Sequence, residues 1–89
     1  MLTVYSKPYC PKCEQAKSWL DSNKIEYEVV DVSVDTDALN MLREHGHKSV
    51  PQLYLNGELF VEGGCDGLMT HDPAQLKEQI ELNDLRGFA

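Results

Sequence analysis

Two cysteines separated by two residues, Cys10-Pro11-Lys12-Cys13, stand where the sequence changes its period. Before them, Leu2-Thr3-Val4-Tyr5 is short, β-branched and aromatic, which reads as a strand, and Ser6-Lys7-Pro8-Tyr9 reads as a loop. After them, Cys13, Ala16 and Leu20 recur at helical spacing with Trp19 flanking, while Glu14, Gln15, Lys17 and Ser18 fall elsewhere. Pro11 suits the first helical position, where a missing N–H costs nothing, so Cys10 is expected at the N-cap. Cysteines at i and i+3 across a helix start have Cα atoms about 5–6 Å apart, the window a disulfide requires. The chain must therefore run a strand into a helix through a turn that carries both sulfurs. Ser22-Asn23 is expected to end that helix.

The remaining segments follow the same alternation. Tyr27-Glu28-Val29-Val30-Asp31-Val32 reads as a second strand. Asp35-Thr36-Asp37 supplies a cap and an acidic first turn for a helix carrying Ala38, Leu39, Met41 and Leu42, which Gly46 stops. Pro51-Gln52-Leu53-Tyr54-Leu55, Asn56-Gly57 and Glu58-Leu59-Phe60-Val61 form a hairpin pattern, because Asn-Gly provides the two positive-φ positions of a type I′ turn. Gly63-Gly64 opens a loop into a short helix near Asp66 to Met69. Asp72-Pro73 begins a last helix with Leu76 and Ile80 inward, fading around Arg86-Gly87. The order is β-α-β-α-β-β-α, whose opening βαβ unit requires parallel strands and a right-handed crossover. The class is α/β, a mixed four-stranded sheet flanked by helices on both faces. A chain of 89 residues supports one core, which predicts a single domain over residues 1–89.

Charge and cysteine content narrow the function. Fifteen Asp and Glu against eight Lys and Arg leave a formal net charge of −7, which repels phosphate backbones and argues against a nucleic-acid partner. No apolar run approaches the roughly 18 residues that mark a membrane span, and Met1 to Tyr5 shows no secretory pattern. The expected compartment is the cytoplasm, where thiols are kept reduced. Three cysteines are an odd number and too few for a disulfide scaffold, so the close pair reads as redox-active or metal-binding. Zinc would need two further ligands, for which Cys65, His45, His47 and His71 are the candidates. No second CxxC exists, and His45-Gly46-His47 lacks the spacing of a zinc histidine pair. The strand-to-helix context favours redox chemistry.

That chemistry has a physical basis. Cys10 at a helix N-terminus meets unpaired N–H groups and the positive end of the dipole, which stabilise a thiolate. Lys7 and Lys12 would add positive charge, so the Cys10 thiol is expected below the free value of about 8.5. Cys13 shares the buried face and reads as the sheltered resolving thiol behind an exposed nucleophile, the arrangement that exchange through a mixed disulfide needs.

Three motifs in order, Lys7-Pro8-Tyr9-Cys10-Pro11-Lys12-Cys13, Ser49-Val50-Pro51-Gln52 and Gly63-Gly64-Cys65-Asp66, resemble those of the glutaredoxins, with the likeness running from Leu2 to about Leu82. The resemblance implies a thioredoxin fold and glutathione as reductant and co-substrate. Thioredoxin proper is disfavoured, since no Trp precedes Cys10 and no Gly-Pro separates the cysteines. Alone, Pro51 would read as a trans proline opening a strand, because only about 5–6% of X–Pro bonds are cis. The resemblance implies instead a cis Pro51 beside Cys10, with the backbone of Val50 free to pair with an extended peptide such as glutathione. Gly63-Gly64 before a helix offers N–H groups suited to a carboxylate. By resemblance that carboxylate is the γ-glutamyl one. Gly64 lies in its motif, Cys65 and Asp66 offer backbone N–H groups, and Asp66 faces the amino group. Lys7 faces the glycyl carboxylate, and Tyr9 and Lys12 complete the contact set. Taken singly, these residues have plainer readings as a turn glycine pair, a capping aspartate and a solvated lysine.

Two positions depart from the family pattern. Lys12 stands where the commonest active-site pair carries an aromatic, and Gly67 follows Gly-Gly-Cys-Asp where a second acidic or polar residue is usual. Spacing identifies no second basic contact for the glycyl carboxylate between Asp35 and His45. Asp31-x-Ser33-x-Asp35 imitates the opening of a calcium loop, but Thr36 and Leu42 replace its required Gly and Glu, so turn and cap roles suffice. Trp19 reads as core and Cys65 as a small buried residue at a tight turn.

The resulting expectation is a monomeric, glutathione-dependent thiol–disulfide oxidoreductase that reduces protein disulfides and glutathione mixed disulfides, with ribonucleotide reductase among the clients the family suggests. Two alternatives remain open at this point. One is a glutaredoxin-like electron donor reduced by thioredoxin reductase. The other is a carrier of zinc or of an iron–sulfur cluster.

Overall fold

The computed structural model describes residues 1–86. Its sheet is built around β1 (Leu2–Ser6), which pairs in parallel with β2 (Tyr27–Asp31) and antiparallel with β3 (Gln52–Leu55). β4 (Glu58–Val61) pairs antiparallel with β3, giving the order β2-β1-β3-β4. The alternation of side chains along these strands divides the interior in two. Leu2, Val4, Leu53 and Leu55 point to one face, and Tyr5 and Tyr54 to the other.

The larger core lies on the first face under α1 (Pro11–Ser22), α3 (Gly64–Leu68) and α4 (Pro73–Arg86). Ala16 and Leu20 come from α1, Cys65 and Leu68 from α3, and Leu76 and Ile80 from α4; Trp19 packs half-buried against the cluster. The opposite face is covered by α2 (Thr36–Glu44), which buries Leu42 against Val32 and Tyr54. Asp35 caps α2 by accepting from the Ala38 N–H at 3.0 Å. Asp31 accepts from the Ser33 N–H and hydroxyl at 2.9 and 2.6 Å, so the calcium-like spacing is a turn followed by a cap. That turn ends β2 one residue earlier than the strand pattern predicts.

The hairpin turn forms as the Asn-Gly pair requires, with Asn56 at φ 53° and Gly57 at φ 86°. The short helix expected near Asp66 to Met69 forms as α3, which starts two residues before Asp66 and ends one before Met69. Gly63 is its N-cap in the left-handed region at φ 87°, and α3 opens at Gly64, itself at φ 59°, where the sequence reads as loop. Gly87, where the last helix was expected to fade, lies outside the described residues. Among the described residues no helix is long and apolar enough to cross a membrane.

Candidate active site

The cysteine pair lies where β1 feeds α1. Cys10 is the N-cap, extended at φ −114°, and its Sγ accepts a hydrogen bond from the Cys13 N–H at 3.2 Å. A sulfur thus does what a serine or aspartate oxygen does at other helix starts. Cys10 and Cys13 are joined by a disulfide across a Cα separation of 5.2 Å, inside the expected window. Cys13 has no exposed surface and Cys10 retains 7%. The order of accessibility is as expected, but Cys10 is buried rather than openly exposed. Its Sγ is tied to Cys13 on one side and lies 3.8 Å from the Val50 carbonyl oxygen on the other.

The Val50–Pro51 bond is cis. Two grooves meet at this loop, and Val50, Ser49 and His47 line both. The larger, about 390 Å³, runs from Pro51 to the start of α3, with Lys12 and Asp66 on its walls. The smaller, about 190 Å³, runs toward α2 and includes Lys7. The residues singled out in the sequence therefore divide. Lys12, Val50, Pro51, Gly64, Cys65 and Asp66 share the larger groove. Lys7 joins Val50 in the smaller one, and Tyr9 stands fully exposed at φ 58°, in neither wall.

Close backbone packing seats α3 against the proline loop. Gly64 has φ 59°, and a Cβ there would come within 2.8 Å of the Pro51 carbonyl oxygen. At Gly67 a Cβ would run into the Glu62 carbonyl oxygen. The second departure from the family pattern is thus a packing requirement of this backbone: no side chain fits at position 67. In the first turn of α3 the N–H groups of Gly64, Cys65 and Asp66 precede any intrahelical acceptor and face the groove end of the helix.

Lys12, the first departure, spans that groove. Its Nζ donates to Asp66 Oδ1 at 2.8 Å, and this carboxylate holds the ammonium above its ordinary pKa. The positive charge expected beside the Cys10 sulfur is therefore taken up by Asp66. Cys65 is buried, with Sγ 3.8 Å from both Gln15 Oε1 and Met69 Sδ, and burial pushes its thiol up. His45 and His47, candidates for zinc, meet at the hydroxyl of Tyr54 instead. Tyr54 Oη is 2.8 Å from His45 Nδ1 and 2.7 Å from His47 Nε2. The hydroxyl has one proton and spare lone pairs, so it can donate to one ring nitrogen and accept from the other. Among the described residues no three of His, Cys, Asp and Glu converge on a metal position.

Comparison with known proteins places this geometry. A family model described as Glutaredoxin matches residues 2–60. The chain belongs to the glutaredoxin family. A glutaredoxin of Ricinus communis is 34% identical over 80 residues, covering 84% of this chain and 76% of that one. Glutaredoxin 3 of Escherichia coli K12 is 31% identical over 72 residues, covering 78% and 82%. The crystal structure of a buckwheat glutaredoxin–glutathione complex superposes with a TM-score of 0.69 at 28% identity, covering 89% of this chain and 74% of that one. The glutaredoxin assignment carries with it the thioredoxin fold and thiol–disulfide oxidoreductase chemistry, for which Cys10 and Cys13 are positioned.

Sequence reasoning missed one side of this glutaredoxin's site. Arg43 and Lys48 line the smaller groove with Lys7. Arg43 follows the buried Leu42 and lies four residues after Leu39, so it borders the face that α2 turns to the sheet. A helical wheel places it at that border. Which groove the border reaches depends on how α2 docks, and no local pattern encodes that.

Proposed function

We propose that this chain reduces protein disulfides and glutathione mixed disulfides with glutathione as its reductant, acting as a monomeric single domain in the reducing cytosol. The observation that carries the reading is the Cys10 sulfur, held by the Cys13 N–H and set 3.8 Å from the carbonyl oxygen of Val50, a residue that lines both grooves. On reduction, the same N–H and the start of α1 favour a thiolate at Cys10.

Cys10 attacks one sulfur of a client disulfide, forming a mixed disulfide and expelling the other client sulfur as a thiol. Cys13 then attacks Cys10, releasing the second client thiol and leaving the Cys10–Cys13 disulfide. One glutathione thiolate opens that bond, forming a mixed disulfide at Cys10. A second removes the first as glutathione disulfide and restores both thiols. The tripeptide fits along Val50 as an added strand. Its γ-glutamyl carboxylate meets the first-turn N–H groups of Gly64, Cys65 and Asp66, its ammonium meets the Asp66 carboxylate, and its glycyl carboxylate turns toward Lys7. Pro51 supports the strand, Lys12 borders the γ-glutamyl end beside Asp66, and Tyr9 stands outside both grooves.

The test is a glutathione-coupled assay on both substrate types. Cys10→Ser is expected to abolish both reactions, whereas Cys13→Ser spares removal of glutathione from a mixed disulfide. Equal loss from the two changes would overturn the assignment of roles. Turnover with thioredoxin reductase but not with glutathione would replace the reductant and keep the dithiol.

A further inference from the structure

The smaller groove carries an uneven charge. Of the eight Lys and Arg in a chain with fifteen Asp and Glu, three, Lys7, Arg43 and Lys48, line this one groove, and among the described residues no acidic one does. All three are exposed. Among the described residues none of them has an ion-pair partner, whereas Lys12 and Lys17 are taken up by Asp66 and Glu14. Beneath the cations Val32 and Leu42 are buried and Leu39 half-buried. The other groove is answered differently, since Asp66 and Glu62 balance Lys12 there.

We propose that the smaller groove docks an acidic segment of the client protein, namely residues that follow the client's reactive cysteine. The inference rests on the oxidoreductase reading and extends it to client choice. Direction follows from the backbone. The chain runs from Lys48 through Val50 toward Gln52, so a client strand paired antiparallel to Val50 runs from the α3 side toward Lys48. With its cysteine sulfur at Cys10, the residues after that cysteine reach Lys7, Arg43 and Lys48. A tripeptide ending in one carboxylate answers one of these cations, while a longer segment bearing two or three carboxylates answers all of them. Each such exposed pair contributes little alone, and their sum acts on encounter and register.

The experiment uses pre-reduced protein and no glutathione, so the choice of reductant does not enter it. Symmetric disulfides of three blocked peptides are compared, with three acidic residues after the cysteine, with the same residues before it, and with neutral residues. One protein dithiol and one peptide disulfide yield the Cys10–Cys13 disulfide and two peptide thiols, which are counted. At low salt the first peptide is expected to react roughly 3- to 30-fold faster than the neutral one. The ratio falls toward one in high salt and in the double variant R43Q/K48Q. Equal rates for the first and neutral peptides would overturn the proposal, as would a ratio that survives R43Q/K48Q. A matching advantage for the peptide acidic before its cysteine would overturn the assigned direction and the groove with it.

Discussion

The two walls that meet at Val50 are built from opposite materials. The α3 wall is backbone on backbone: Gly64 and Gly67 leave room for the carbonyls of Pro51 and Glu62, and its charge, Asp66, is answered by Lys12 reaching over from α1. The α2 wall is side chain on side chain, with Tyr54 held between His45 and His47 and, above them, three cations that have no ion-pair partner among the described residues. The first is specified by the absence of atoms and the second by their presence. A substitution that adds atoms should therefore injure the α3 wall, and one that removes them the α2 wall. Backbone carbonyls cannot step aside as side chains do, so the first injury should be the greater.

The largest effect is expected at Gly67. Gly67→Ala places a Cβ against the Glu62 carbonyl oxygen, and α3 must shift or β4 must yield. Overpacking of this kind costs about 1–3 kcal/mol. The urea midpoint should fall by a matching amount, and glutathione turnover should fall beyond it, since the first turn of α3 moves with the helix. Gly64→Ala adds the strain of a positive φ to a close approach to Pro51 and should behave alike. An unchanged midpoint for both variants would show that the α3 wall is as yielding as its counterpart.

A smaller effect is expected at Tyr54, which is 1% exposed. Tyr54→Phe keeps the ring against Tyr5 and Leu42 while removing the hydroxyl that both imidazoles share. His45 is exposed and His47 half-buried, so water replaces much of what is lost. A hydrogen bond of this class contributes about 0.5–1.5 kcal/mol net. Urea unfolding at neutral pH should register a loss in that range. A gain in stability would mean that water serves the imidazoles better than Tyr54 does, and that the α2 wall is held by apolar contact alone.

This contrast also explains what the sequence disclosed. The dithiol turn was legible because Pro11, Cys10 and the Cys13–Ala16–Leu20 face are local signals within one helix. The sheet followed from the Asn56-Gly57 turn and from the β-branched and aromatic content of the segments that became β1 and β2. The cis bond at Pro51 was not readable from its neighbours, since local statistics favour trans; three spaced motifs together suggested it. The early start of α3 was hidden because two glycines read as loop when their packing partners, Pro51 and Glu62, are not known to be near. The tie between Lys12 and Asp66, and the gathering of Lys7, Arg43 and Lys48, arise from how helices dock on the sheet. Tertiary placement decides such contacts, and charge spacing along the chain does not record it.

The smallest effect is expected at Lys12, and its size sharpens the comparison. Both partners of the Lys12–Asp66 pair are largely exposed, so water screens them and ordering two side chains offsets the attraction. Lys12→Gln should leave the urea midpoint at neutral pH unchanged within error, far from the loss at Gly67 in the same wall. The pH dependence has a definite sign. Asp66 raises the folded-state pKa of Lys12 above its ordinary value, so any stabilisation is fully present below the ordinary lysine value and fades as pH climbs through the raised one. The difference between wild type and Lys12→Gln should therefore be flat from pH 7 to 9 and shrink only at more alkaline pH. A midpoint loss rivalling that of Gly67→Ala, or a difference that grows with alkali, would mean that the wall is held by its charge pair rather than by the contact of α3 with two carbonyls.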